Sequence, residues 1–116
     1  FIQADITKLP FLDDTYDCSV ILALMHRLPK NIRLQVLEEI KRVTKQNLII
    51  SYSVQNILQK AKQSFIPFFN KKYLPAPEGI SYEEILNELK SFNLKIIKKK
   101  RILRFLSAKV VFLIEA

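Results

Sequence analysis

The sequence predicts an α/β fold built on a mostly parallel sheet, and three observations predict it. Residues 1–4, 18–24 and 48–52 are short apolar runs rich in β-branched side chains and bounded by acidic, polar or proline residues, the pattern of strands rather than helices. The run 18–24 is apolar at nearly every position. A strand covered on both faces reads that way, and such strands belong to parallel sheets. Between the second and third runs, Ile32, Val36, Leu37, Ile40 and Val43 recur at intervals of three and four, which draws one apolar stripe on a helix over residues 32–45. Strand, helix and strand then form a β-α-β crossover, right-handed in nearly all cases.

The remaining elements follow in order. Residues 7–16 form a polar connection, because Pro10 interrupts any strand and Asp13-Asp14-Thr15 supplies turn chemistry. Phe11 and Tyr16 are expected to pack beneath it. Residues 25–28 read as a short helical turn, Pro29 breaks the chain, and Asn31 is a candidate N-cap. Lys41, Arg42 and Lys45 fall at the end of the helix, where cations suit its dipole. Residues 54–65 have the pattern of a moderately amphipathic helix. Residues 66–80 contain Pro67, Pro75, Pro77 and Gly79 among Phe68, Phe69 and Tyr73, too much proline for a regular element. Ser81-Tyr82-Glu83-Glu84 is a capping box opening a helix that runs to about Phe92, with Tyr82, Ile85, Leu86 and Leu89 on its apolar face. Residues 94–103 and 108–115 are two more strands, and Lys98-Lys99-Lys100-Arg101 on the first suits an exposed edge.

Composition narrows the function classes. A chain of 116 residues with 49% apolar content is one globular unit. Its only glycine is Gly79, whereas an average domain has about 7%. A glycine-rich cofactor turn, which lets the backbone approach a nucleotide-type ligand, is therefore not in this chain. The net charge of +8 permits a polyanionic partner without requiring one. The one cysteine, Cys18, excludes an internal disulfide and reads as a small core residue in a reducing, cytoplasmic setting. No apolar run approaches the roughly 18 residues of a membrane span. One Cys and one His, not at ligand spacing, make no zinc site, and the acids lack a calcium-loop pattern.

The run Asp5-Ile6-Thr7-Lys8-Leu9-Pro10-Phe11, the Tyr16-Asp17 pair opening an apolar strand, His26 shortly after it, and Leu37-Glu38-Glu39-Ile40-Lys41-Arg42-Val43 leading into the next strand together resemble the middle of class I S-adenosylmethionine-dependent methyltransferases. The resemblance covers residues 1–52 closely and the rest more loosely. It implies a three-layer Rossmann-like sheet, present here in part, mostly parallel with an antiparallel last strand inserted between its neighbours. It also implies that residues 1–116 are the C-terminal portion of a single methyltransferase domain, with the glycine-rich turn in a preceding part and the fragment alone inactive. Many relatives have a Gly-Gly pair before the third strand. Gln46-Asn47 stands there in this chain, and Asn tolerates the left-handed backbone such a turn requires.

Candidate site residues come from the same stretch. Asp5, following a strand, is placed where open α/β sheets bind ligands and where a carboxylate can accept from an adenine amino group. The resemblance makes it the acid that reads the adenine of S-adenosylmethionine, with the Ile6 backbone N–H beside it, and gives the Leu22 carbonyl to the methionine portion. His26 is the one side chain suited to proton transfer near neutrality and is the candidate catalytic or substrate-orienting residue. Asp17, at the other end of its strand, is structural. The resulting expectation is methyl transfer to an unidentified acceptor. The alternative is a basic α/β module that binds nucleic acid or another polyanion without catalysis.

Overall fold

In the computed structural model, residues 1–54, 80–104 and 107–116 are described. The helix expected over 54–65 and the proline-rich stretch 66–80 lie outside them, except Val54 and Ile80.

β1 (Tyr16–Ile21) runs parallel to β2 (Thr44–Val54), with Ser19 beside Leu48 and Ile21 beside Ile50. The crossover between them holds a 3-10 turn, Met25–Arg27, and helix α1 (Lys30–Val43). After α2 (Tyr82–Ser91), strands β3 (Lys95–Arg104) and β4 (Ser107–Glu115) form an antiparallel pair. β4 also pairs antiparallel with β2, so the sheet order is β1-β2-β4-β3. The last strand is thus inserted between its neighbours, as expected. β3 is left at the edge, with Lys98, Lys99, Lys100 and Arg101 all exposed.

One face of the sheet is the core. Leu48, Ile50 and Tyr52 alternate on β2, and Val110, Phe112 and Ile114 alternate opposite them on β4, all buried. Val36, Leu37 and Ile40 of α1 and Ile85 and Leu89 of α2 close the same cluster. Both helices therefore lie on one side, as their apolar stripes dictate. The Ser81 hydroxyl accepts the Glu84 N–H at 3.2 Å, as the capping box requires. The Glu84 carboxylate turns away and pairs with Arg33 of α1 at 2.7 Å. Arg33 also forks onto Glu88 at 2.6 Å and 3.1 Å, and both of these residues are buried. Burial opposes the guanidinium's charge, but hydrogen bonds to Glu88 and the nearby carboxylates hold its pKa above the usual arginine value.

Several expectations are corrected. Residues 1–4 form no strand, and all four are exposed. No described neighbour offers them a ladder, and an unpaired run has its backbone groups better solvated by water. β1 is not covered on both faces: only Ile21 is buried, Cys18 is exposed rather than in the core, and Val20 is 57% exposed. Cys18 and Val20 sit on the sheet face opposite the helices, beside Asn47 and Ile49, and apolarity alone does not specify which face is covered. α1 begins at Lys30 behind Pro29, with no side-chain cap, so Asn31 is not the N-cap. Pro29 is itself the N-cap, extended at ψ 157°, and its carbonyl accepts the Arg33 N–H at 2.9 Å. At its other end the helix passes at Thr44 directly into strand, and Gln46-Asn47 lie within the β2 ladder rather than in a turn. The β-branched Thr44 is buried with its hydroxyl 2.6 Å from that of Ser19, which favours extended backbone there.

Candidate functional site

The carboxyl end of β1 is sharply bent. Ile21 is the last ladder residue, Leu22 is 62% exposed, and Ala23 takes φ 57°. A residue with a Cβ is uncommon in that left-handed region. Here the bend is held because the Ala23 N–H donates to the Ser51 hydroxyl of β2 at 2.8 Å. Met25, fully buried, anchors the 3-10 turn that follows, and Arg27 N–H donates to the Leu24 carbonyl at 2.9 Å. His26 is therefore carried at the mouth of the sheet's carboxyl edge, half-buried, with Nδ1 buried and without a partner among the described residues. Burial, reinforced by the positive charges of Arg27 and Lys109, lowers its pKa below 6.5. The imidazole is neutral at pH 7 and can accept a proton.

Asp5 stands in a separate turn, not at the end of a paired strand as the sequence suggested. Its Oδ1 accepts the Thr7 N–H at 2.9 Å and the Thr7 hydroxyl at 2.7 Å, and its carbonyl accepts the Lys8 N–H at 3.0 Å. Those bonds to Oδ1 lower its pKa, so it is a carboxylate at neutral pH. Oδ2 and the Ile6 N–H have no hydrogen-bond partner among the described residues. One carboxylate oxygen orients the turn and the other is open to a donor.

The chain from this turn to β1 is fastened to the last turns of α1. The Leu9 N–H donates to Glu39 Oε2 at 2.8 Å. Arg42 donates to the Leu9 and Phe11 carbonyls, to Asp13 and, through two nitrogens, to Glu39. Phe11 packs edge to face on Tyr16, with ring centroids 5.1 Å apart, and Tyr16 is exposed rather than packed beneath the connection.

Of the sequence candidates, Leu22 and His26 flank one bend, Asp5 and Ile6 form a second feature, and no hydrogen bond joins the two. Asp17 is exposed at the start of β1. Among the described residues no group of His, Cys, Asp or Glu has the arrangement of a metal site, and no helix is long and apolar enough to cross a membrane. Sequence reasoning missed Ala23 and Ser51, for which it held no signal. It also missed the pairing of Glu39 with Arg42, whose spacing of three was legible as a helix-surface pair.

A family model described as a methyltransferase domain matches residues 1–51. Magnesium protoporphyrin IX methyltransferase from Synechocystis PCC 6803, solved with S-adenosylhomocysteine bound, superposes with a TM-score of 0.80 over 99% of this chain and 50% of its own, at 13% identity. The chain has a methyltransferase fold. It is the fold of the class I enzymes whose cofactor is S-adenosylmethionine, in part, with the antiparallel insertion. A methyltransferase from Methanosarcina mazei shares it at a TM-score of 0.74 and 17% identity, over 97% of this chain and 64% of its own. The cyclase SpnF shares it at 0.69 and 11%, over 97% and 53%. The chain thus spans about half to two thirds of these structures, and comparison with curated proteins gave no match.

Proposed function

We propose that this chain is the C-terminal portion of a cytoplasmic S-adenosylmethionine-dependent methyltransferase. The observation that carries the reading is the bend at the carboxyl end of a parallel strand, where Ala23 is held left-handed by Ser51. Sparsely populated backbone clusters at functional sites, and open α/β sheets bind ligands at this edge, so the bend supports a site there. In this reading Asp5 would accept from the adenine amino group through Oδ2, with the Ile6 N–H beside it, and the Leu22 carbonyl would serve the methionine portion. When bound, S-adenosylmethionine supplies an electrophilic methyl group on its sulfonium. The protein aligns the acceptor with it and excludes water, which needs no nucleophilic side chain. His26 orients the acceptor or takes its proton. The cyclase with this fold argues for testing the cofactor directly, since fold alone does not fix the reaction.

The test is calorimetry of the full-length protein with S-adenosylmethionine and S-adenosylhomocysteine. Binding is expected, weakened roughly two- to 150-fold by Asp5→Ala. Absence of binding by the wild type overturns the reading.

A second reading rests on β3. Lys98, Lys99, Lys100 and Arg101 are exposed along an edge strand, where the one ion pair among the described residues is Lys95 to Glu115 at 3.9 Å. Lys99 and Arg101 lie over the Tyr82 ring on the helix-bearing face while Lys98 and Lys100 alternate onto the other, so it is the edge as a whole, not one face, that would meet a nucleic-acid backbone. Replacing the three lysines by alanine then lowers a salt-dependent affinity for nucleic acid and leaves cofactor affinity unchanged. No salt-dependent binding by the wild type removes this reading.

A further inference from the structure

We infer that Glu39 and Arg42 are positioning residues that hold the 9–14 segment so that the adjoining Asp5 turn presents its carboxylate to the adenine, an inference resting on the cofactor reading above. The helix dipole alone would call for a cation in this turn of α1 but for none of the contacts made. Arg42 Nη1 donates to the Phe11 carbonyl at 2.8 Å and to Asp13 Oδ1 at 2.7 Å, and Nη2 donates to the Leu9 carbonyl at 3.1 Å. Nε and Nη2 fork onto the two Glu39 oxygens at 2.8 Å and 2.9 Å. Glu39 Oε2 also accepts the Leu9 N–H, and the Arg42 carbonyl accepts the Asp14 N–H at 2.9 Å. Alternate residues of an irregular segment are thereby held by one planar fork, a geometry that guanidinium makes and ammonium does not. Leu9, the first residue held, follows directly on Lys8, whose N–H closes the Asp5 turn. The turn therefore has no slack on that side.

Asp13 is largely solvent-exposed and Arg42 half-buried, so this ion pair by itself adds little to global stability. What the set of bonds does is fix a path. The Arg42 hydrogen bonds, with that of the Leu9 N–H, hold Glu39 ionised with a pKa of about 2, so the fork is intact across the physiological range.

The experiment is a double-mutant cycle in the full-length protein, read as calorimetric affinity for S-adenosylhomocysteine. Arg42→Ala should weaken binding on the order of tenfold, and should cost nothing further once Asp5 is already alanine. Arg42→Lys should not restore it. Losses that multiply independently, or rescue by lysine, overturn the inference while leaving the cofactor reading in place. A wild-type protein that binds no cofactor overturns that reading and this inference with it. Amide hydrogen exchange needs no ligand: Lys8 and Leu9 should exchange faster in Arg42→Ala, and unchanged exchange overturns the inference. Where Arg42→Ala does not fold, Glu39→Gln keeps an acceptor for Leu9 but loses the charge. It should show a smaller loss with the same dependence on Asp5, and a loss independent of Asp5 overturns the inference.

Discussion

His26 is the chain's one histidine, so its ring resonances are directly assignable. Burial disfavours the imidazolium, and the charges of Arg27 and Lys109 oppose it further. An NMR titration is expected to place its midpoint below 6.5, and a midpoint above that value would contradict the burial of Nδ1. The sign for stability follows. The unfolded chain takes up the proton first as pH falls, so the contribution of neutral His26 is complete above about 6.5 and is lost as pH drops through the folded value. In the methyl-transfer reading, the rate should fall on the acid side over the same window, and His26→Asn should abolish that limb. Sequence reasoning located His26 because the residue type carries the signal. It could not locate Ala23, because nothing about an alanine announces a φ of 57°.

At the scale of elements, α1 and α2 are joined by a buried charge cluster as well as by apolar contact. Arg33 and Glu88 are 5% and 4% exposed, and Glu84 completes the set. Arg33→Ala leaves a buried carboxylate without its partner and should destabilise by about 3–5 kcal/mol, whereas replacing Arg33 and Glu88 together by Met and Leu should be near neutral. Denaturant unfolding of the two variants checks this, and equal losses would count against the pairing. The cap of α2 is a separate and smaller matter. Ser81→Ala removes one acceptor and should cost about 0.5–2 kcal/mol, read by the same method. Helix α2 was legible in full because Ser-x-x-Glu and the apolar stripe agree on it. The destination of Glu84 was not legible, because a carboxylate that can cap its own helix can equally reach an arginine 51 residues away in sequence.

For the whole molecule the asymmetry of the sheet matters most. Its helix-bearing face is closed by Val36, Leu37, Ile40, Ile85 and Leu89. On the other face Val20 and Ile102 are 57% and 45% exposed, while Ile49, Val111 and Leu113 between them are only half-buried. Val20→Thr with Ile102→Thr in chain 1–116 should change stability by no more than about 0.5 kcal/mol, as exposed positions do. The same pair should reduce self-association in sedimentation, since an open apolar strip on a sheet favours it. A loss of stability several times larger would mean that this face is covered.

What the sequence determined by itself is the set of elements with a period: the strands flanking α1, the capped helix α2 and the two strands after it, the first with a lysine-rich run, while their antiparallel pairing was what the resemblance implied. Apolar alternation and capping residues are local, and they fix local backbone. Tertiary structure decided which face of β1 is covered, since an apolar strand reads the same whether one side or both are buried. It also decided that residues 1–4 stay unpaired, because a strand exists only with a neighbour to share its hydrogen bonds. And it turned Arg42 from a cation suited to a helix end into a fork on three alternate residues of a loop, Leu9, Phe11 and Asp13, because a guanidinium's partners are set by what the fold brings within about 3 Å of it.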